Sequence, residues 1–150
     1  VLPGACGDGN SGPDAGPPDA NPICLEANEH EDLPWIQENI FTPSCSRFTA
    51  CHQGRALMAG ELSMEVEDTF AQLIDVQSSL FGKDGWVRVV PGDPENSYLM
   101  VILGQYPGPI SEAGTMPYNS PLLCQEMRDA IERWIEGGAA ETPDPPDAGP

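Results

Sequence analysis

The stretch Phe41-Thr-Pro-Ser-Cys45-Ser-Arg-Phe-Thr-Ala-Cys51-His52-Gln-Gly54 constrains this chain more than any other, because it sets two thiols and an imidazole close together just after a short amphipathic segment. Cysteine and histidine can form a disulfide, ligate a metal or hold a prosthetic group. Such a cluster needs a loop that turns these side chains toward one place, and a surrounding fold that supplies the rest of a site.

The chain has 150 residues, enough for one domain with a real core and too few for two ordinary ones. Residues 1–22 and 140–150 are built from Pro, Gly, Ala, Asp and Glu with almost nothing to bury, so both are expected to be disordered, the first as a tether and the second as an acidic tail. Pro-Asp-Ala-Gly-Pro occurs in each, at 13–17 and 146–150. The folded domain is then 23–139.

Six basic residues stand against 24 acidic ones, a formal charge of −18. No basic stripe is present to neutralise phosphates, so nucleic acid is excluded as a partner, and an anionic membrane surface would repel the chain equally. A solvated acidic surface accounts for the charge, and a partner protein with a basic docking surface would also suit it. The longest apolar run, Tyr98 to Leu103, falls far short of the ~20 residues of a membrane-spanning helix. Val1-Leu-Pro-Gly-Ala-Cys6 resembles the end of a bacterial lipoprotein signal, which implies export, a lipid anchor at Cys6 and an oxidising compartment; the flank of a cleaved secretory signal implies export as well.

If Cys6 carries lipid, four cysteines remain. Cys24 and Cys124, at opposite ends of the domain, make sense as a disulfide that closes a very long loop, worth about 4 kcal/mol. Cys45 and Cys51 are left for the central cluster, and a Cys45–Cys51 disulfide closes the count equally well.

Along the domain, Asp32 to Phe41 reads as a short helix with Asp32 as N-cap, stopped by Thr42-Pro43. Glu65 to Gln77 sets Val66, Phe70, Leu73 and Ile74 at helical spacing. Trp86-Val-Arg-Val-Val90 is β-prone but too isolated for a sheet. Asp93 as N-cap with Pro94 at the first position opens a third helix, with Tyr98, Leu99, Ile102 and Leu103 on its apolar side and Gly104 at its end. Residues 105–119 form a Gly- and Pro-rich loop of the kind that covers a ligand, and it contains Met116-Pro117. The last helix is expected to start at Ser120-Pro121, to bury Leu123, Met127, Ile131, Trp134 and Ile135, and to stop at Gly137-Gly138. Four helices and no convincing sheet predict an all-α domain with long loops.

A helix, then Cys-His, then further helices, a Met-Pro loop and a final helix with an aromatic near its end is the order of class I c-type cytochromes. Ile40-Phe-x-Pro-x-Cys45, Cys51-His-x-Gly54, Arg88-Val-Val-Pro-Gly-Asp-Pro-x-x-Ser-Tyr-Leu99, Met116-Pro and Ile131-x-x-Trp-Ile-x-x-Gly-Ala139 resemble the cytochrome c-like domains of exported, myxobacterial-type lipoproteins. The resemblance implies one covalent haem c, with Cys45 and Cys51 as thioether anchors, His52 as proximal and Met116 as distal iron ligand. It implies a single-electron carrier, in the periplasm or tethered to the cell surface, rather than an enzyme, and an apolar shell drawn from Phe48, Leu99, Leu103 and Trp134.

Five residues separate the cysteines, where the usual haem signature has two. The extra three would have to bulge outward for both sulfurs to meet the haem edge. Two alternatives stay open at this point: a haemless cytochrome c-like binding or structural domain closed by a Cys45–Cys51 disulfide, and a zinc site from Cys45, Cys51 and His52. Met58, Met64, Met100 and Met127 compete with Met116, which is preferred for its loop position before proline; His30 is expected in solvent. No nucleophile motif, phosphate loop or dinucleotide fingerprint is present, and Asp8-x-Asn10-x-Gly12 is a mere fragment of a calcium loop.

Overall fold

The computed structural model describes residues 21–48, 51–54 and 59–143. Cys6, the Asp8–Gly12 fragment, Leu57 and Met58 lie outside the described residues, as do 144–150.

The first helix, α1 (Pro22–Ala27), begins with Pro22 at its first position, and the Asn21 side chain accepts the Ile23 N–H at 3.0 Å. Asp32 caps α2 (Leu33–Ile36) as expected, its carboxylate accepting the Trp35 N–H at 3.0 Å. The helix does not stop at Thr42-Pro43, however. It widens into a π-helical turn, Gln37–Phe41, and continues as α3 (Thr42–Ser44). The Thr42 N–H reaches back five residues to the Gln37 carbonyl. A proline inside an α-helix lacks an N–H and crowds the carbonyl four residues before it; the wider turn just ahead of Pro43 relieves that conflict.

Glu65 to Gln77 is helical only over α4 (Thr69–Leu73). Ile74 is extended and Asp75 takes φ 56°. The 86–90 segment takes over the backbone groups that a longer helix would have used. Asp75 donates to the Val89 carbonyl at 2.9 Å, Val89 to Leu73 at 3.1 Å and Arg88 to Val76 at 2.7 Å. Val66, expected on the apolar face, is 71% exposed. Trp86 to Val90 makes only isolated bridges, to Ile74, Gln77 and Ser97, and no strand forms among the described residues.

The third expected helix is broken in two. Asp93 caps a 3₁₀ turn, Pro94–Asn96, after which Ser97 is extended and α5 (Tyr98–Ile102) starts afresh. Buried Ser97 donates to the Asp93 carbonyl and accepts the Val90 N–H, both at 2.8 Å. The Tyr98 and Leu99 N–H groups go to Val87 and Arg88 at 2.8 and 2.9 Å. The last helix, α6 (Gln125–Glu136), starts past Ser120, with Cys124 as its N-cap. Leu123, Met127, Ile131, Trp134 and Ile135 are buried as expected, and the helix ends at Gly137, with Gly138 at φ 107°.

The described residues thus form a small helix-rich domain with long loops, in six short α segments rather than four helices. Ile36, Ile40, Phe41, Met100, Met127, Ile131 and Ile135 fill the core, with Phe41 and Trp134 edge-on at 6.5 Å. None of its helices is long and apolar enough to cross a membrane.

A Cys24–Cys124 disulfide, with Cα atoms 6.2 Å apart, ties α1 to the start of α6 across 100 residues of sequence. Arg133 supports the same junction by donating to the Ala27 and His30 carbonyls at 2.8 and 2.9 Å. Replacing both cysteines by serine should lower the unfolding free energy by about 4 kcal/mol in urea titrations, the entropy expected of so long a loop; a loss under about 1 kcal/mol would show that the bond does not constrain the chain.

Candidate functional site

His52 is fixed at three points. Its N–H donates to the Cys45 carbonyl at 2.9 Å, its carbonyl accepts the Met64 N–H at 2.8 Å, and its ring Nδ1 lies 3.1 Å from the Leu62 carbonyl. A carbonyl oxygen can only accept, so Nδ1 carries the proton and Nε2 keeps a lone pair. The backbone N–H bond ties His52 back to Cys45, seven positions earlier. Holding the second nitrogen on a backbone carbonyl is the usual way a protein orients an imidazole for a metal.

An apolar cavity of about 150 Å³ lies beside His52. Cys45 and Met116 line it too, although Met116 is far from the cluster in sequence. Met116 is held to the end of α5, its N–H donating to the Ile102 carbonyl at 2.8 Å. Leu99 and Leu103 are in the wall, as expected for an apolar shell, together with Leu62, Leu73 and Ile102. Phe48 and Trp134 are not. Phe48 is half exposed under the Arg47 guanidinium, and Trp134 packs in the core against Phe41.

Two lining residues were missed as site residues. Met64 is a second thioether in the wall, and Arg88 brings a guanidinium whose N–H groups bond the Gln72 and Gly60 carbonyls at 2.8 and 3.3 Å. Arg88 stood in a recognisable motif, but nothing in its spacing pointed into a cavity. Met100 and Met127 fill the core. His30 sits at the surface, stacked on Trp35 at 4.4 Å with Nδ1 3.2 Å from Asp32.

The thiols divide differently from either sequence alternative. Cys45 is buried in the cavity wall and keeps its thiol, whereas Cys51 is buried outside the wall and is disulfide-bonded, so the two are not joined to each other. Nor do Cys45, Cys51 and His52 gather for zinc. Among the described residues the group of three that comes close enough to share an ion is Cys24, Cys124 and Glu126, and two of these are tied in the disulfide.

No family model matches this chain, and neither a curated protein nor a solved structure does.

Burial holds the His52 imidazole below its ordinary value, the Leu62 hydrogen bond pulls the other way, and the positive charge of Arg88 lowers it further. At neutral pH His52 is therefore a neutral donor. The unfolded chain takes up a proton near pH 6.5 while the folded chain resists it, so acidification below about pH 6.5 favours unfolding. Urea titrations of the apo protein at pH 7.5 and 5.5 should show a larger loss of stability for the wild type than for His52→Gln. Equal losses would mean that His52 is as accessible to protons in the folded chain as in the unfolded one.

Proposed function

We propose that this domain is a cytochrome c-like protein that carries one covalent haem c and transfers single electrons. The observation that carries this reading is the meeting of His52 and Met116 on one apolar cavity, with His52 Nδ1 already engaged and Nε2 left for iron. A neutral imidazole and a thioether are the donor pair of electron-transfer haems. When bound, the group supplies a one-electron iron couple. His52 and Met116 would hold the iron, and Leu99 and Leu103 would keep water from it. Cys45 and Cys51 would form the thioethers, which requires the Cys51 sulfur to be released from its disulfide first. About 150 Å³ is the size of an engineered cavity that takes up benzene. A macrocycle therefore needs a wider cavity than the apo chain holds.

The same two observations favour a second reading. A small cavity and a Cys51 already in a disulfide suit a haemless domain of this fold, acting in binding or as structure. Both readings place the protein outside the cytoplasm, on the strength of its Cys6 flank and its disulfide chemistry. Under the first reading the chain shuttles electrons without transforming a substrate, and its −18 charge suits a redox partner with a basic docking surface.

Expression together with haem-attachment machinery separates the two. The first reading expects a coloured protein whose intact mass exceeds that of the polypeptide by one haem, with the excess surviving denaturation. A colourless product of polypeptide mass would leave the haemless domain.

A further inference from the structure

The larger polar side chains in the wall of the cavity beside His52 are engaged with backbone. His52 Nδ1 is held by the Leu62 carbonyl, the Arg88 guanidinium donates to the Gln72 and Gly60 carbonyls, and the Tyr98 hydroxyl donates to the Pro109 carbonyl at 3.0 Å. The serines behave alike. Ser78 Oγ accepts the Leu80 and Phe81 N–H groups at 3.3 and 3.4 Å, and Ser111 Oγ accepts the Ala113 N–H at 3.3 Å. Leu62, Leu73, Leu99, Ile102 and Leu103 make the aliphatic part of the wall, and Met64 and Met116 bring two thioethers. We propose that the haem-free domain binds one small, neutral, single-ring aromatic molecule in this cavity. The proposal rests on the second reading above, since it gives a haemless domain its ligand.

Three arguments select the ligand. A volume of about 150 Å³ is that of a cavity which takes up one benzene, so a single ring fits and a fused pair does not. Neutrality follows from the wall. An ion would be stripped of water among aliphatic side chains, and the Arg88 N–H groups that might receive a carboxylate bond to carbonyls instead. The two thioethers make the third argument, because a polarisable sulfur gains more from an aromatic ring than from a saturated one. Entry is open as well, since Leu80 and Ala113 line the cavity and are exposed.

The test uses the full chain from a host without haem-attachment machinery, labelled at its methionine methyl groups and titrated with benzene. The Met64 and Met116 methyl resonances should shift together under the ring current, while those of Met100 and Met127 in the core stay in place. The Kd should be about 1 mM or tighter, well inside the ceiling for a ligand of about six heavy atoms. Cyclohexane at the same free concentration should bind more weakly, and benzoate should leave the resonances unmoved. Leu103→Phe, which fills the cavity, should weaken benzene by at least about tenfold, and Met116→Leu should weaken it by about two- to tenfold. Circular dichroism establishes that each variant is folded; if Leu103→Phe does not fold, the wild-type shifts and Met116→Leu decide. The proposal is overturned if benzene moves neither Met64 nor Met116, if folded Leu103→Phe binds it equally, or if cyclohexane or benzoate binds as tightly. Haem attachment is read separately by mass, so a chain that takes up haem and never benzene, or benzene and never haem, decides each claim by itself.

Discussion

The hydrogen bond from His52 Nδ1 to the Leu62 carbonyl, 3.1 Å long, is the contact on which the site depends. With the backbone bonds from His52 to Cys45 and from Met64 to His52, it converts a loop residue into a fixed donor. Loops ordinarily surrender precision for adaptability. Here one ring contact and two backbone contacts hold the residue, part-buried, so its second ring nitrogen has a defined place. The cost is desolvation of the imidazole, which holds it neutral. The clamp and the neutral state serve the same end, a lone pair kept available at physiological pH.

The remainder of the fold brings Met116 into the wall of the cavity that His52 lines. The disulfide between Cys24 and Cys124 and the Arg133 contacts to α1 fix the two ends of the domain against each other. The 86–90 segment is laced between Leu73 and Leu99 by backbone bonds, and so joins α4 to α5 without a sheet. Met116 then hangs from the end of α5 by a single backbone bond to Ile102. Helices supply the core, but it is the hydrogen bonds between loops that position the donors.

Much of this was legible in the sequence, and what was not has a common cause. Caps written into short-range chemistry were readable: Asp32, Asp93 and the closing Gly137-Gly138. Helix extents were misjudged wherever a distant segment claimed the backbone. The 86–90 segment cut short the far end of the helix expected over 65–77 and split the one expected after Asp93, whereas Val66 lies before α4 begins and is exposed. α6 starts past Ser120, directly after the disulfide-bonded Cys124. At Pro43 the error ran the other way, because a π-helical turn absorbs the proline. The site shows the same division. Cys45 and His52 announce themselves by proximity and Met116 by its loop, whereas Arg88 and Met64 reach the cavity only through tertiary folding. The fate of Cys51 could not be read from spacing either, since two thiols six positions apart pair as readily on paper as they fail to pair in the fold.

The central claim is the proposal that His52 and Met116, which line one cavity, would hold a haem iron. Proton–carbon NMR of the reduced protein, labelled at its five methionine methyl groups and produced with haem-attachment machinery, tests it most directly. Coordination should move one methyl resonance far upfield under the ring current of the macrocycle, and Met116→Leu should remove that resonance alone. If all the methyl resonances stay in the ordinary range, or if the shifted one disappears with Met64→Leu instead, the account of the site is contradicted.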